Sequence, residues 1–174
     1  MLTLRDFARL IAPTHRRIMH IVSRAKLTMV SDAEGLQRLQ VSVLNGETRD
    51  NVERFQQYGF SSHPQAGAEV LMLSLGGSRD HPVIIAVDDR RTRPGGAAAG
   101  ETEVYNDAGV SLRLLADGTL LIKGPLKVRM ETPMLEVTGD IKDNCDGGGR
   151  TMQEMRDTYN RHQHPGTGLP TEKM

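Results

Sequence analysis

Beyond Gly100 the apolar residues come in short alternating groups: Val110, Leu112 and Leu114, then Leu120 and Ile122, then Leu126, Val128 and Met130, then Leu135 and Val137. Asp117-Gly118, Gly124-Pro125, Thr132-Pro133 and Gly139-Asp140 stand between them, so each apolar pair or triplet is followed by a turn. Alternation places each group on one face of a short strand. From Gly100 to Asp140 no helix or second set of long strands is available to cover those faces. Leaving them wet would forfeit ~1.5–3 kcal/mol for each Leu, Ile or Val. Wrapping three copies around a common axis puts every stripe into a shared interior and pairs strand edges between chains. The pattern therefore predicts an intertwined trimeric β-prism. The rival reading, a disordered polar tail, fits regular alternation less well.

The preceding residues read as a different object. Leu4, Phe7, Ala8 and Ile11 mark a short amphipathic helix over Leu2 to Ala12, a packing element, with Thr3 and Asp6 as a capping box and Pro13 as its stop. Ile18 to Val30 turns β-like, Asp32 to Gly35 is a turn, and a strand through Leu39, Val41 and Val43 closes at Asn45-Gly46. A third strand is expected within Val52 to Phe60. Two near-continuous apolar runs, Val70 to Leu75 and Val83 to Val87, suit strands buried on both faces. About five strands in roughly ninety residues, with one helix, are what a small closed barrel of the OB-fold type requires. Asp88 to Gly100, rich in Arg, Gly and Ala, reads as a linker. The expected division is 1–94 for the helix and barrel, 95–140 for linker and shaft, and 141–174 for a C-terminal apex. In that last part Met152, Met155 and Tyr159 predict a helix from Thr151 to Asn160 that plugs the narrowing end.

Composition favours a structural role. Lys+Arg and Asp+Glu balance at 22 each. A nucleic-acid binder would normally be basic and, for single strands, aromatic, whereas this chain is 3% aromatic with no Trp. Phe55, Tyr58 and Phe60 could form a stacking platform, but their place beside the barrel strands reads rather as core or subunit contact. The single Cys145 excludes an intrachain disulfide and suits assembly in the cytoplasm. No apolar run approaches the ~20 residues of a spanning helix and no signal-peptide pattern follows Met1, so any membrane contact would be mechanical or transient.

The chemistry concentrates at His162 and His164, in the run Asn160-Arg161-His162-Gln163-His164-Pro165. In an extended segment the two side chains share a face and can approach one ion. Two ligands rarely suffice, and no nearby Cys, Glu or Asp offers zinc spacing. A threefold axis would supply two nitrogens from each of three chains, an octahedral set of six. Neutral imidazole suits Fe, Ni, Cu and Zn; six nitrogens disfavour Zn and favour Fe(II) or Ni(II). An iron-dependent oxygenase, the enzyme alternative, needs two His, a carboxylate and open positions. His15, His20, His63 and His81 read as solvent or loop residues. Asp107, Asp117, Asp140, Asp143 and Asp146 read as turn formers; a calcium site among them lacks an EF-hand pattern.

The stretch Val52-Glu53-Arg54-Phe55-Gln56-Gln57-Tyr58-Gly59-Phe60-Ser61-Ser62-His63-Pro64, then Gly67-Ala68-Glu69, then Gly-Gly, the glycine-punctuated β region and the terminal His-x-His-Pro resemble the Mu-type baseplate assembly protein V family. The resemblance covers essentially the whole chain. It implies a homotrimer with an OB-fold ring, a triple-stranded β-helix shaft and an apex in which His162 and His164 of three chains hold iron. It further implies a non-enzymatic spike of the virion's tail baseplate, docked on the hub or tube through its N-terminal domain. Such a spike pierces the host outer membrane when the sheath contracts.

Overall fold

The computed structural model describes residues 3–33, 35–43, 46–163, 165–166 and 168 of the 174. The chain divides into two compact units, Met1–Leu126 and Lys127–Met174.

In the first unit, helix α1 spans Leu4–Met19. Its start follows the capping box: Thr3 Oγ1 accepts from the Asp6 N–H at 3.3 Å, and the Asp6 carboxylate accepts from the Thr3 N–H at 3.0 Å. The expected stop at Pro13 is corrected, because the helix runs through it. Proline removes one i→i−4 bond, but the helix beyond it is secured at its far end. There the last turn lies against Gly77, where a Cβ would stand 2.9 Å from both the Cβ and the carbonyl oxygen of Arg17. The strand expected from Ile18 accordingly begins at Val22. The reading of α1 as a packing element is met only at that last turn, since no α1 residue is buried.

Five strands follow: β1 (Val22–Ser31), β2 (Arg38–Ser42), β3 (Thr48–Arg54), β4 (Glu69–Ser74) and β5 (Pro82–Asp88). They close a barrel in the order β1-β2-β3-β5-β4, with β4 returning to β1. The β3–β5 contact is parallel and all others are antiparallel. This is the predicted OB-like arrangement. The interior is filled by Ala25, Leu27, Leu39, Val41, Val52, Ala68, Val70, Met72 and Ile84. Register places Leu27 beside Val41 and Leu39 beside Val52, so alternate residues of neighbouring strands meet inside. The expectation that the apolar runs of β4 and β5 are buried on both faces is corrected. In β4 only Val70, Met72 and Ser74 are buried, and in β5 only Ile84. A barrel of five strands has one interior, and the outward-facing Leu71 and Leu73 of β4 are only half-buried.

Beyond the linker, β6 (Thr102–Tyr105), β7 (Ser111–Leu114) and β8 (Leu120–Lys123) form an antiparallel meander. Among the described residues no strand follows Lys123. The groups Leu126 to Met130 and Leu135 to Val137 thus lack the pairing that their alternation predicts, since the chain offers them no neighbour. In the second unit the main elements are an isolated bridge between Lys142 and Thr151 and helix α2 (Met152–Arg161). No described helix is long and apolar enough to cross a membrane.

Candidate functional site

The second unit builds a mount for His162. Residues 140–151 fold back on themselves: the Met152 N–H donates to the Ile141 carbonyl at 2.9 Å and the Asp143 N–H to that of Arg150 at 3.3 Å. The glycine run makes this reversal possible. Gly148 has φ +81°, and a Cβ on Gly149 would stand 1.9 Å from the Asp143 carbonyl oxygen. The exposed Cys145 sits in the same turn. Asp140 accepts from the Ile141 and Gln153 N–H groups; hydrogen bonding from the Thr151 side chain, then these backbone bonds, lowers its pKa. Thr151 caps α2 in a second capping box with Glu154.

His162 ends α2 with extended backbone, φ −69° and ψ 147°, and its N–H donates to the Thr158 carbonyl at 3.0 Å. Its ring lies 5.1 Å from that of Tyr159. Nδ1 is hydrogen-bonded to the Tyr159 carbonyl. A carbonyl only accepts, so Nδ1 carries the hydrogen and, in neutral imidazole, the lone pair lies on Nε2. A ring fixed in this way by a backbone carbonyl suits a metal-ligating histidine. The other expected ligand, His164, lies outside the described residues. Among the described residues no three His, Cys, Asp or Glu side chains gather around a point.

The apolar stripes form the second candidate feature. Across the meander Val104 pairs with Leu112 and Leu112 with Ile122, while Leu114 pairs with Leu120. These residues therefore stand side by side, and all of them are exposed. Leu126 is 97% exposed, and Val128, Met130, Leu135 and Val137 are likewise open in the second unit.

A third feature was not foreseen from the sequence. Arg54, buried at the end of β3, donates to Gln37 Oε1 at 2.7 Å, to the Ser62 carbonyl at 2.9 Å and to Ser62 Oγ at 2.9 Å. Gln37, also buried, donates to Asp32 Oδ1 at 2.6 Å, and His63 Nδ1 lies 2.6 Å from Asp32 Oδ2. These hydrogen bonds, Gln37 first and His63 second, hold the Asp32 carboxyl below its ordinary pKa. Burial lowers the pKa of Arg54, with Asp32 opposing. The available signal was position: Arg54 lies two residues after Val52 and so points to the interior.

This network secures the loop that carries Phe55, Tyr58 and Phe60. All three are exposed, so their reading as barrel core is corrected; the chain leaves the sheet after Arg54, which also ends the expected third strand early. His15, His20 and His81 are exposed, as read, whereas His63 has the carboxylate neighbour just described. Asp117 and Asp143 each accept a backbone N–H, from Thr119 at 2.8 Å and Arg150 at 2.9 Å, as turn formers do.

Residues 24–91 match the family described as Bacteriophage Mu Gp45, N-terminal. The chain is 41% identical over 128 residues to the Mu-like prophage FluMu protein gp45 of Haemophilus influenzae, spanning 74% of this chain and 69% of that protein. It is 35% identical over 141 residues to the baseplate puncturing device gp45 of Escherichia phage Mu, spanning 77% and 72%. The closed barrel coincides with the matched segment, and the likeness to both relatives extends well past it. The chain belongs to the Mu gp45 family.

Proposed function

We propose that this protein is the central spike of a contractile phage tail baseplate, and that three copies wound together pierce the host outer membrane when the sheath contracts. The observation that carries the reading is the uncovered apolar side chains of the alternating groups, from Val104 to Leu126 in the first unit and from Val128 to Val137 in the second. A single chain gains nothing from that pattern, whereas three chains bury it on a common axis. The relative named as a baseplate puncturing device supports the same role.

In this reading residues 1–94 form a ring of barrels that docks on the tail hub or tube, 95–140 a triple-stranded β-helical shaft, and 141–174 the apex. The work is mechanical and uses no catalytic step. Axial load is resisted because no strand can slip without breaking interchain pairing and wetting the core. At the apex the chain is too thin for a core of its own, and small units of that kind rely on cross-links or metals. His162 and His164 of the three chains would hold an iron ion there, which supplies a clamp for the chain ends. The Tyr159 carbonyl orients the His162 ring for that role.

The test is metal per chain together with solution mass. One iron per three chains in a trimer, lost in the His162→Ala, His164→Ala double variant, is the expected result. One metal per chain in a monomer would overturn the reading and reopen the enzyme alternative.

A further inference from the structure

Helix α1 has an apolar face that its own chain leaves open. Leu4, Phe7, Ile11, Thr14 and Ile18 follow one another at alternating steps of three and four, a 3.5-residue repeat sustained over the whole helix. All five are exposed, as is the flanking Leu10. Arg5, Arg9 and Arg16 fall on the opposite side, together with Pro13. The main contact of α1 within its unit is at its last turn, where Arg17 lies against Gly77. A 16-residue helix standing alone in water is marginal.

We infer that α1 is a subunit seam, in which the α1 helices of neighbouring copies pack as a short parallel coiled coil with Leu4, Phe7, Ile11, Thr14 and Ile18 inside. The number of helices rests on the trimeric reading above. Two observations favour a second copy over other occupants. The 3.5-residue spacing is that of a helix facing its like. The five seam positions carry no charge and Arg5, Arg9 and Arg16 point outward, with Arg17 alone at the flank beside Leu10, so copies meet through an uncharged face. Leu4, Phe7, Leu10, Ile11 and Ile18 each offer on the order of 100 Å², so each neighbouring pair of helices buries roughly 500 Å², an extension of the shaft's interface and not a stable interface by itself.

The test uses full-length protein carrying Cys145→Ser, with either Ile11→Cys in the seam or Arg9→Cys outside it. Each variant is oxidised mildly and run on a non-reducing gel, and its mass is measured by light scattering before oxidation. The expected result is a trimeric mass for both, with disulfide-linked dimers abundant for Ile11→Cys, up to two chains in three, and scarce for Arg9→Cys. A trimeric mass with no preference for position 11 overturns the seam and leaves the trimeric spike standing. A monomeric mass overturns both.

Discussion

Arg54 and Ser62 are joined twice, the guanidinium donating to the Ser62 carbonyl and to its hydroxyl, each at 2.9 Å. This pair connects the end of a barrel strand to the far side of the loop, which the Ser62 N–H closes internally by donating to Gln56 Oε1 at 2.9 Å. A loop so held presents Phe55, Tyr58 and Phe60 in a fixed arrangement, although none of them contributes to the core.

Replacing Arg54 by Ala is expected to destabilise the protein by about 2–4 kcal/mol, because it leaves the buried Gln37 Oε1 without its donor and removes both of the guanidinium's bonds to Ser62. Arg54→Lys restores the charge but not the fork and should recover only part of the loss. Urea denaturation of the three proteins, read as shifts in midpoint at constant slope, checks the order.

The barrel was legible because Leu39, Val41 and Val43 keep a period of two and the turns carry Gly, Asn and Asp, whereas in the continuous apolar runs Val70 to Leu75 and Val83 to Val87 the strands could be read but not which of their faces is inside. Pro13 misled because a local rule for stopping helices ignores what secures the far end, here Arg17 against Gly77. The strands after Lys123 could not appear in one chain, since their pairing and burial belong to copies of it in the proposed assembly. The Arg54 network was hidden for another reason. Its members, Asp32, Gln37, Arg54, Ser62 and His63, are ordinary polar residues spread over three segments, and only the closed barrel brings them together.

Asp89 gives the stability a defined acid limb. Hydrogen bonds from the Arg91 side chain, then its backbone N–H, lower the carboxyl to a pKa of about 2. Arg91 also donates to the Ala66 carbonyl at 2.9 Å, so the pair ties the linker to the aromatic loop. A carboxyl depressed in the folded state binds its proton more readily when unfolded. Its contribution is therefore complete above the unfolded value of about 3.9 and disappears as pH falls toward the folded value near 2. Asp89→Asn should be less stable than the parent at pH 7 and should lose less on acidification from pH 5 to pH 2. Denaturant midpoints measured across that range decide it; parallel curves would remove the pair from the account.

Gly149 tests the mount beneath the histidines. A methyl group there would meet the Asp143 carbonyl oxygen at 1.9 Å, and neither backbone can yield without opening the 140–151 reversal. Gly149→Ala is expected to cost about 1–3 kcal/mol or more and to weaken metal retention at His162 and His164. Gly95 has ordinary φ and open space around it, so Gly95→Ala should be within about 0.5 kcal/mol of the parent. Thermal denaturation with elemental analysis on the same samples compares the two, and equal behaviour would separate the glycine turn from the apex.

Leu126 separates one chain from three. It is 97% exposed in the single chain, so as a monomer the protein would tolerate Leu126→Ser with a change of less than about 0.5 kcal/mol. Enclosed between three chains, the same side chain contributes about 2–3 kcal/mol per copy, and the loss is felt three times in one assembly. Leu126→Ser should then lower the thermal midpoint distinctly and shift the light-scattering mass toward smaller species on dilution. Lys127→Ser, one residue on and facing the other way in an extended chain, should leave both unchanged. If the two substitutions behave alike, the stripe is not an interior, and the wound shaft that the proposed spike requires has no core at this level.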